Sequence, residues 1–248
     1  MLIDLAIRPP PPVQPAVRAN KSRASAQTLA PEITAEEMQS LSQAVALLHR
    51  HDPAAPLDPY LEVGTAAGGT LVQVMGMFPA ARRPRFVVVD PMTYFPGQLD
   101  VVQRNIREHG FDPQEVDFWI GRSKAIYPQL AGIGPAMGCV FIDGDHSFRG
   151  VTYDLNWAKL LRPGGLLIFH DYFPHGSPDV VRAVDRFLKR CSNYRQVSWV
   201  NSLLVLEKTG PSSKPEVTTF DVMRATILTL LLRLLRSCRK RVKRLGLI

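Results

Sequence analysis

Phe141 to Tyr172 reads FIDGDHSFRGVTYDLNWAKLLRPGGLLIFHDY and holds two strand–loop units in succession. The first is an apolar run ending in Asp143, followed by a polar loop with Asp145, His146 and Ser147. A helix-like segment and the turn signal Pro163-Gly164-Gly165 lead to a second apolar run that ends in His170-Asp171. Strands alternating with helical segments build an open α/β sheet, whose ligands sit beyond the carboxyl ends of the strands. Both acid-bearing ends should therefore face one cleft.

The same pattern recurs upstream. Tyr60-Leu61-Glu62-Val63 leads into Gly64-Thr65-Ala66-Ala67-Gly68-Gly69-Thr70 and then into the apolar Leu71, Val72, Val74 and Met75. Small residues let the chain turn sharply from strand to helix and let a ligand approach the backbone where a Cβ would repel it. Phe86-Val87-Val88-Val89-Asp90 follows, an apolar strand ending in an acid about 20 residues after the glycines, where doubly wound folds place a ribose-hydroxyl acceptor. A nucleotide-like cofactor fits this order of signals. The GxGxxG of nicotinamide-dependent dehydrogenases is absent.

Glu62-x-Gly64-x-x-x-Gly68-x-Thr70, Asp90, Gly121-Arg122-Ser123, Ile142-Asp143-Gly144-Asp145-His146-Ser147 and Arg162-Pro163-Gly164-Gly165 together resemble the class I S-adenosylmethionine-dependent methyltransferases. The similarity is greatest to the branch with macrocin-type sugar O-methyltransferases and covers roughly Leu57 to Lys208. It implies that Gly64, Thr65, Gly68, Gly69 and Thr70 surround the methionine and ribose part of S-adenosylmethionine, with Glu62 supporting the turn. Asp90 would accept from both ribose hydroxyls, Met92 would lie against the adenine, and Ser123 would cap its edge. Asp143 would also border the cofactor. In the metal-dependent members Asp143, His170 and Asp171 map to the ligands of a magnesium-like ion. His170 departs from the usual oxygen donor there, and its nitrogen suits magnesium less well, so it reads as either a third ligand or a positioning group.

Methyl transfer from a sulfonium is an in-line displacement that needs a positioned acceptor and removal of a proton from a weak nucleophile. Two designs meet that need: a cation bound by Asp143 and Asp171 that lowers the hydroxyl pKa, or His146 acting directly as base or orienting group. The plain alternative for His146 is a loop histidine closing its own turn. Asp145 and Asp154 read as loop- and helix-stabilising.

Of 30 basic and 22 acidic residues, the segment from Lys214 onward holds nine and two, so the tail carries +7 of the +8 net charge. The basic balance describes this appendage and not the cleft. Met223, Ile227, Leu230, Leu231, Leu234, Cys238, Val242 and Leu245 recur at helical spacing, with Arg and Lys mostly on the other side. The pattern is that of a basic amphipathic helix suited to an anionic membrane surface, with a partner helix second and nonspecific nucleic-acid attraction third. Its uncharged core is too short to span a bilayer.

The three cysteines, Cys139, Cys191 and Cys238, form no CxxC or Cys/His cluster, which excludes a disulfide framework or structural zinc and fits the cytosol. Residues 1–30, rich in Pro, Ala, Ser and Arg, read as a flexible leader; 31–210 as the catalytic domain; 211–248 as linker and tail helix. Thr34-x-x-Glu37 is a capping box for an amphipathic helix bearing Met38, Leu41, Val45 and Leu48, expected to cover the sheet or the cofactor mouth. Strands are expected near 60–63, 86–89, 116–119, 139–143, 166–170, 194–200 and 202–207, with helices between the first six. The last two form a hairpin around Asn201. The expected fold is therefore a Rossmann-like α/β sheet of seven strands, mostly parallel, with an antiparallel last strand.

These readings point to an O-methyltransferase acting on a hydroxyl of a small molecule such as a sugar, glycosylated metabolite or glycolipid. The alternatives are a hydroxylase-like or oxygenase-associated member of the same motif family, and a membrane-recruited S-adenosylmethionine-binding protein without turnover. No specific nucleic acid is expected as a partner.

Overall fold

The computed structural model describes residues 33–48, 57–130, 134 and 136–244, so the expected leader lies outside it. Helix α1 (Ala35–Leu48) precedes strands β1 (Tyr60–Val63), β2 (Phe86–Asp90), β3 (Val116–Ile120), β4 (Met137–Ile142) and β5 (Leu161–Phe169). Between these strands lie α2 (Gly69–Met77), α3 (Gln98–Glu108), α4 (Ser123–Leu130) and α5 (Phe148–Asp154). Then come α6 (Pro178–Arg190), β6 (Tyr194–Val200), β7 (Leu203–Lys208) and α7 (Thr219–Arg244).

The seven strands order as β3-β2-β1-β4-β5-β7-β6, and only β7 runs antiparallel to its neighbours. The chain builds outward from β1 through β2 to β3, then restarts on the other side with β4. The order thus reverses between β1 and β4, and the loops leaving these two strands diverge around a crevice. Every residue of β1, β2 and β4 is buried, because helices cover both faces and the usual strand alternation of apolar and polar residues is lost.

Alternate side chains feed two cores. Leu61, Val63, Val87 and Val89 face Trp119, Trp157, Val151 and Val184 on one side. Tyr60, Phe86 and Val88 face Leu71, Met75, Leu41 and Val45 on the other. The capping box of α1 forms as expected: Glu37 N donates to Thr34 Oγ1 (3.3 Å) and Thr34 N to Glu37 Oε2 (2.8 Å). α1 lies over β5, β6 and β7, so it covers the sheet and not the crevice.

Three details differ from the sequence reading. β5 starts at Leu161, not near 166, because the Pro163-Gly164-Gly165 turn is absorbed into the strand as a bulge between Met137 and Cys139 of its partner. β4 ends at Ile142 and β5 at Phe169, which places Asp143 and His170 just beyond the strands. The segment after residue 210 is not a free linker. Glu216 pairs with Lys208 at 2.8 Å in a buried setting, Asn193 donates to Ser212 Oγ, and Val217 and Ala225 join the first core. Asp221 caps α7 through Thr218 and ties it to α6 through Arg186 and Arg190. No helix among the described residues is long and apolar enough to cross a membrane.

Candidate active site

The loop after β1 is held from three directions. Gly64 has φ +83°, and a Cβ there would stand 2.3 Å from the Asp143 carbonyl oxygen, so only glycine lets the β1 and β4 loops touch. Asp90 accepts from Thr65 N (3.1 Å), Met92 N (2.6 Å) and Gln98 Nε2 (3.3 Å). Gln98 and Asn105 of α3 donate to the carbonyls of Ala66 and Ala67. Burial raises the Asp90 pKa against the pull of these bonds. Beneath the loop, burial pushes Glu62 up to about 8 even though Tyr60 Oη donates to it at 3.2 Å. The Thr65 hydroxyl, buried with Glu62, also favours its charged form.

Gly64, Asp90, Ser123, Asp143 and His146 line one cleft of about 680 Å³, together with Ala66, Tyr94, Arg122 and Tyr153. Glu62 lies under its floor. Gly68, with φ +85°, caps α2, and Gly69 and Thr70 form the first turn of that helix behind the loop. Met92 packs instead among the side chains of the second core. Ser123 reaches the lining at the start of α4, where its hydroxyl accepts from Trp157 Nε1 at 2.9 Å. A buried carboxylate at the side of the glycine loop and a cleft of this size fit a nucleotide-bearing cofactor.

The other wall is acidic and imidazole-rich. His146 Nε2 lies 3.4 Å from Asp143 Oδ1, and its Nδ1 lies 3.0 Å from Asp171 Oδ2. One ligand atom from each of Asp143, His146 and Asp171 falls within 4.8 Å of the others, a span that one small divalent ion with bonds of about 2.0–2.6 Å can bridge. Asp171 has φ +58°, a left-handed backbone that turns its carboxylate back toward His146. The hydrogen bond that His146 donates to Asp143 raises the His146 pKa against desolvation, with the charges of Asp143 and Asp171 adding to it.

His170 does not join this donor set. Its Nδ1 lies 3.2 Å from Asp143 Oδ1 and its Nε2 3.8 Å from Glu37 Oε2, so the buried ring links Asp143 to α1. Burial opposes its charge, yet Asp143, with Asp171 and Glu37 behind it, pushes the pKa up to about 9. Of the residues read as ligands, Asp143 and Asp171 gather with His146, while His170 stands behind Asp143 and faces Glu37, the place of a positioning group.

Several residues here carried no such signal in the sequence. Glu37, read only as a cap, also accepts from Ser202 N (2.8 Å) and Ser202 Oγ (2.7 Å). Asp154, read as helix-stabilising, lines the cleft near Ser123, and burial pushes it up to about 7. Asp145 pairs with Arg122 at 3.2 Å across the entrance. Tyr172, which with Arg149, Tyr153 and His175 the sequence offers as an acceptor contact, donates through Oη to Asp185 at 2.7 Å.

Residues 61–172 match the family model of a methyltransferase domain. Uncharacterized protein R132 of Acanthamoeba polyphaga mimivirus is 30% identical over 134 residues, 52% of this chain and 58% of that protein, so the match spans little over half of either. The O-methyltransferase TomG of Streptomyces achromogenes, solved in complex with S-adenosylmethionine, has a similar fold at TM-score 0.50 and 19% identity, over 72% of this chain and 92% of TomG. CalS11, a TDP-rhamnose 3′-O-methyltransferase, aligns at TM-score 0.55 and 14% identity, over 69% of this chain and 78% of its own. Residues 61–172 thus resemble a methyltransferase domain, and the seven-stranded sheet has the Rossmann-like fold of these solved structures. These likenesses favour neither the hydroxylase-like nor the non-catalytic alternative.

Proposed function

We propose that this protein transfers a methyl group from S-adenosylmethionine to a hydroxyl oxygen of a small molecule, of which a sugar, a glycosylated metabolite or a glycolipid is the best fit. The observation that carries the reading is the meeting, across the β1–β4 switch point, of a glycine loop with its clamped carboxylate and a wall of two carboxylates and an imidazole. The likeness to a sugar O-methyltransferase supports the sugar class.

When bound, the cofactor supplies an electrophilic methyl group on sulfur, and a divalent ion such as magnesium would supply a Lewis acid. Gly64, Thr65, Gly68, Gly69 and Thr70 shape the seat, Glu62 underlies it, and Asp90 offers carboxylate lone pairs to paired hydroxyl donors. Asp143, His146 and Asp171 would hold the cation. Without one, His146 stands between two carboxylates where it can take the acceptor proton. Asp143 is fixed by His170, which Glu37 holds from behind. Cys139 and Cys191 are buried thiols with pKa values raised by burial, in keeping with a cytosolic setting.

The test is release of S-adenosylhomocysteine by the full chain with a panel of hydroxyl acceptors, with chelator and with added magnesium or manganese. Turnover on a hydroxyl acceptor supports the reading. Methylation confined to nitrogen or carbon acceptors overturns it.

A further inference from the structure

The first half of α7 has two apolar sides, and only one is used by the domain. Ala225, Leu228 and Thr229 turn inward, with Ala225 and Leu228 in or against the first core. On the opposite side Phe220, Met223, Ile227, Leu230, Leu231 and Leu234 form a continuous stripe in which every side chain is 50–63% exposed. At 1.5 Å per residue the stripe runs about 21 Å. From Arg233 to Arg244 the sequence adds seven basic residues and no acidic one.

Beside the stripe lies a groove of about 530 Å³ between α6 and α7. Its lining includes five basic side chains, Arg182, Arg186, Lys189, Arg190 and Arg224, against one acid, Asp185. Asp221 engages Arg186 and Arg190 and Asp179 engages Arg182, while Lys189 and Arg224 have no acidic partner among the described residues. By helical spacing Arg224 lies between the stripe and Leu228, so groove and stripe are continuous. Aliphatic side chains beside unneutralised cations are the signature of a helix lying in a lipid interface.

We infer that the α7 stripe and the α6–α7 groove form one docking surface for an anionic lipid bilayer, with the stripe entering the acyl boundary and the groove receiving headgroup phosphates. Charge complementarity selects this occupant. A second copy of the chain would bring two basic grooves together, and a nucleic acid would leave six aliphatic and aromatic side chains without use. The groove also reaches Phe148 and Pro174, which follow β4 and β5 at the edge of the sheet that carries Asp143 and Asp171. A lipid-borne acceptor would therefore meet the cleft from the same side; this last point rests on the methyl-transfer reading, whereas the docking does not.

The test is sedimentation of the full chain with vesicles of phosphatidylcholine alone and of equimolar phosphatidylcholine and phosphatidylglycerol. Two variants keep the active site intact: Lys189→Gln with Arg224→Gln, and Ile227→Asp with Leu231→Asp. The wild type should bind the acidic vesicles, and less so as salt rises. The groove variant should partition roughly 25-fold less, about fivefold for each basic side chain near the surface. The stripe variant should stay in the supernatant. Wild type remaining in the supernatant with acidic vesicles overturns the inference, as does equal binding by all three proteins. Self-association lost in the stripe variant, or a nucleic-acid shift without vesicle binding, transfers the surface to that occupant. Cofactor calorimetry on the same samples separates the two readings: binding of S-adenosylmethionine without vesicle binding defeats only the docking.

Discussion

Replacing Gly64 with alanine tests the contact that joins the two halves of the cleft. At φ +83° an L-residue pays about 1–2 kcal/mol for a left-handed backbone. The new Cβ would also stand 2.3 Å from the Asp143 carbonyl oxygen and 2.7 Å from Gly144 Cα, both backbone atoms that no rotamer can move aside. Forced displacement in a packed site adds about 1–3 kcal/mol, for a total of about 2–5 kcal/mol. For a chain of this size each kcal/mol lowers Tm by about 2–4 °C, so Gly64→Ala should melt roughly 4–20 °C lower. Gly110 supplies the control, since it has φ +79° and a Cβ added there would meet nothing within 4 Å. Gly110→Ala should therefore show only the conformational cost, about 2–8 °C. The Gly64 variant should in addition lose cofactor affinity, because the Asp143 loop must retreat. Calorimetric melting of both variants, with and without cofactor, is the assay. Equal melting losses at the two positions, with normal cofactor binding in Gly64→Ala, would refute the claim that the β1 and β4 loops meet here.

Glu37→Ala removes the acceptor for Thr34 N, Ser202 N and Ser202 Oγ, and urea unfolding should show a loss of about 1–3 kcal/mol for each buried donor left unpaired; an unchanged midpoint would mean that α1 does not depend on it. Burial holds Glu62 protonated up to about pH 8, whereas the unfolded carboxyl ionises near 4.5, so the native state binds the extra proton between these values. Stability contributed by this group is then present below pH 4.5 and declines as pH rises toward 8, and Glu62→Gln should flatten that decline in pH-dependent melts. Chelation should abolish turnover if Asp143, His146 and Asp171 hold a cation, with Asp171→Ala insensitive to added metal. Should activity persist in chelator, His146→Ala is expected to lose about 10²–10⁴-fold in rate, and normal turnover in that variant would exclude it as base.

The parallel strands were legible because burial on both faces makes them uninterrupted apolar runs, as at Phe86–Val89. Their acidic ends were legible too, since Asp90 and Asp143 stop those runs at the ligand edge. Longer-range partnerships were not. The Thr34–Glu37 box announces a helix start in four residues, but the second task of Glu37 depends on Ser202 and His170, which only the fold brings near. For the same reason the sequence left His170 open between third ligand and positioning group: adjacency to Asp171 hides that one turns to α1 and the other, through its left-handed backbone, to His146. Asp154 gave no signal because a helical aspartate is ordinarily exposed, and its burial against the cleft follows from the packing of α5. In α7 the apolar periodicity was visible, but only the structure separates Ala225 and Leu228, which dock, from the stripe that does not.

The central claim is that the β1–β4 crevice seats S-adenosylmethionine through Asp90. Isothermal titration of the full chain with S-adenosylmethionine, S-adenosylhomocysteine and a nicotinamide dinucleotide, repeated on Asp90→Ala, tests it most directly. Binding of both adenosyl ligands and not of the dinucleotide is expected, with affinity in the variant reduced by about 1.5–3 kcal/mol for each charge-assisted hydrogen bond lost and its melting temperature lowered, since Thr65 N, Met92 N and Gln98 Nε2 lose their acceptor. Unchanged affinity in Asp90→Ala, or preferential binding of the dinucleotide by the wild type, would contradict the claim.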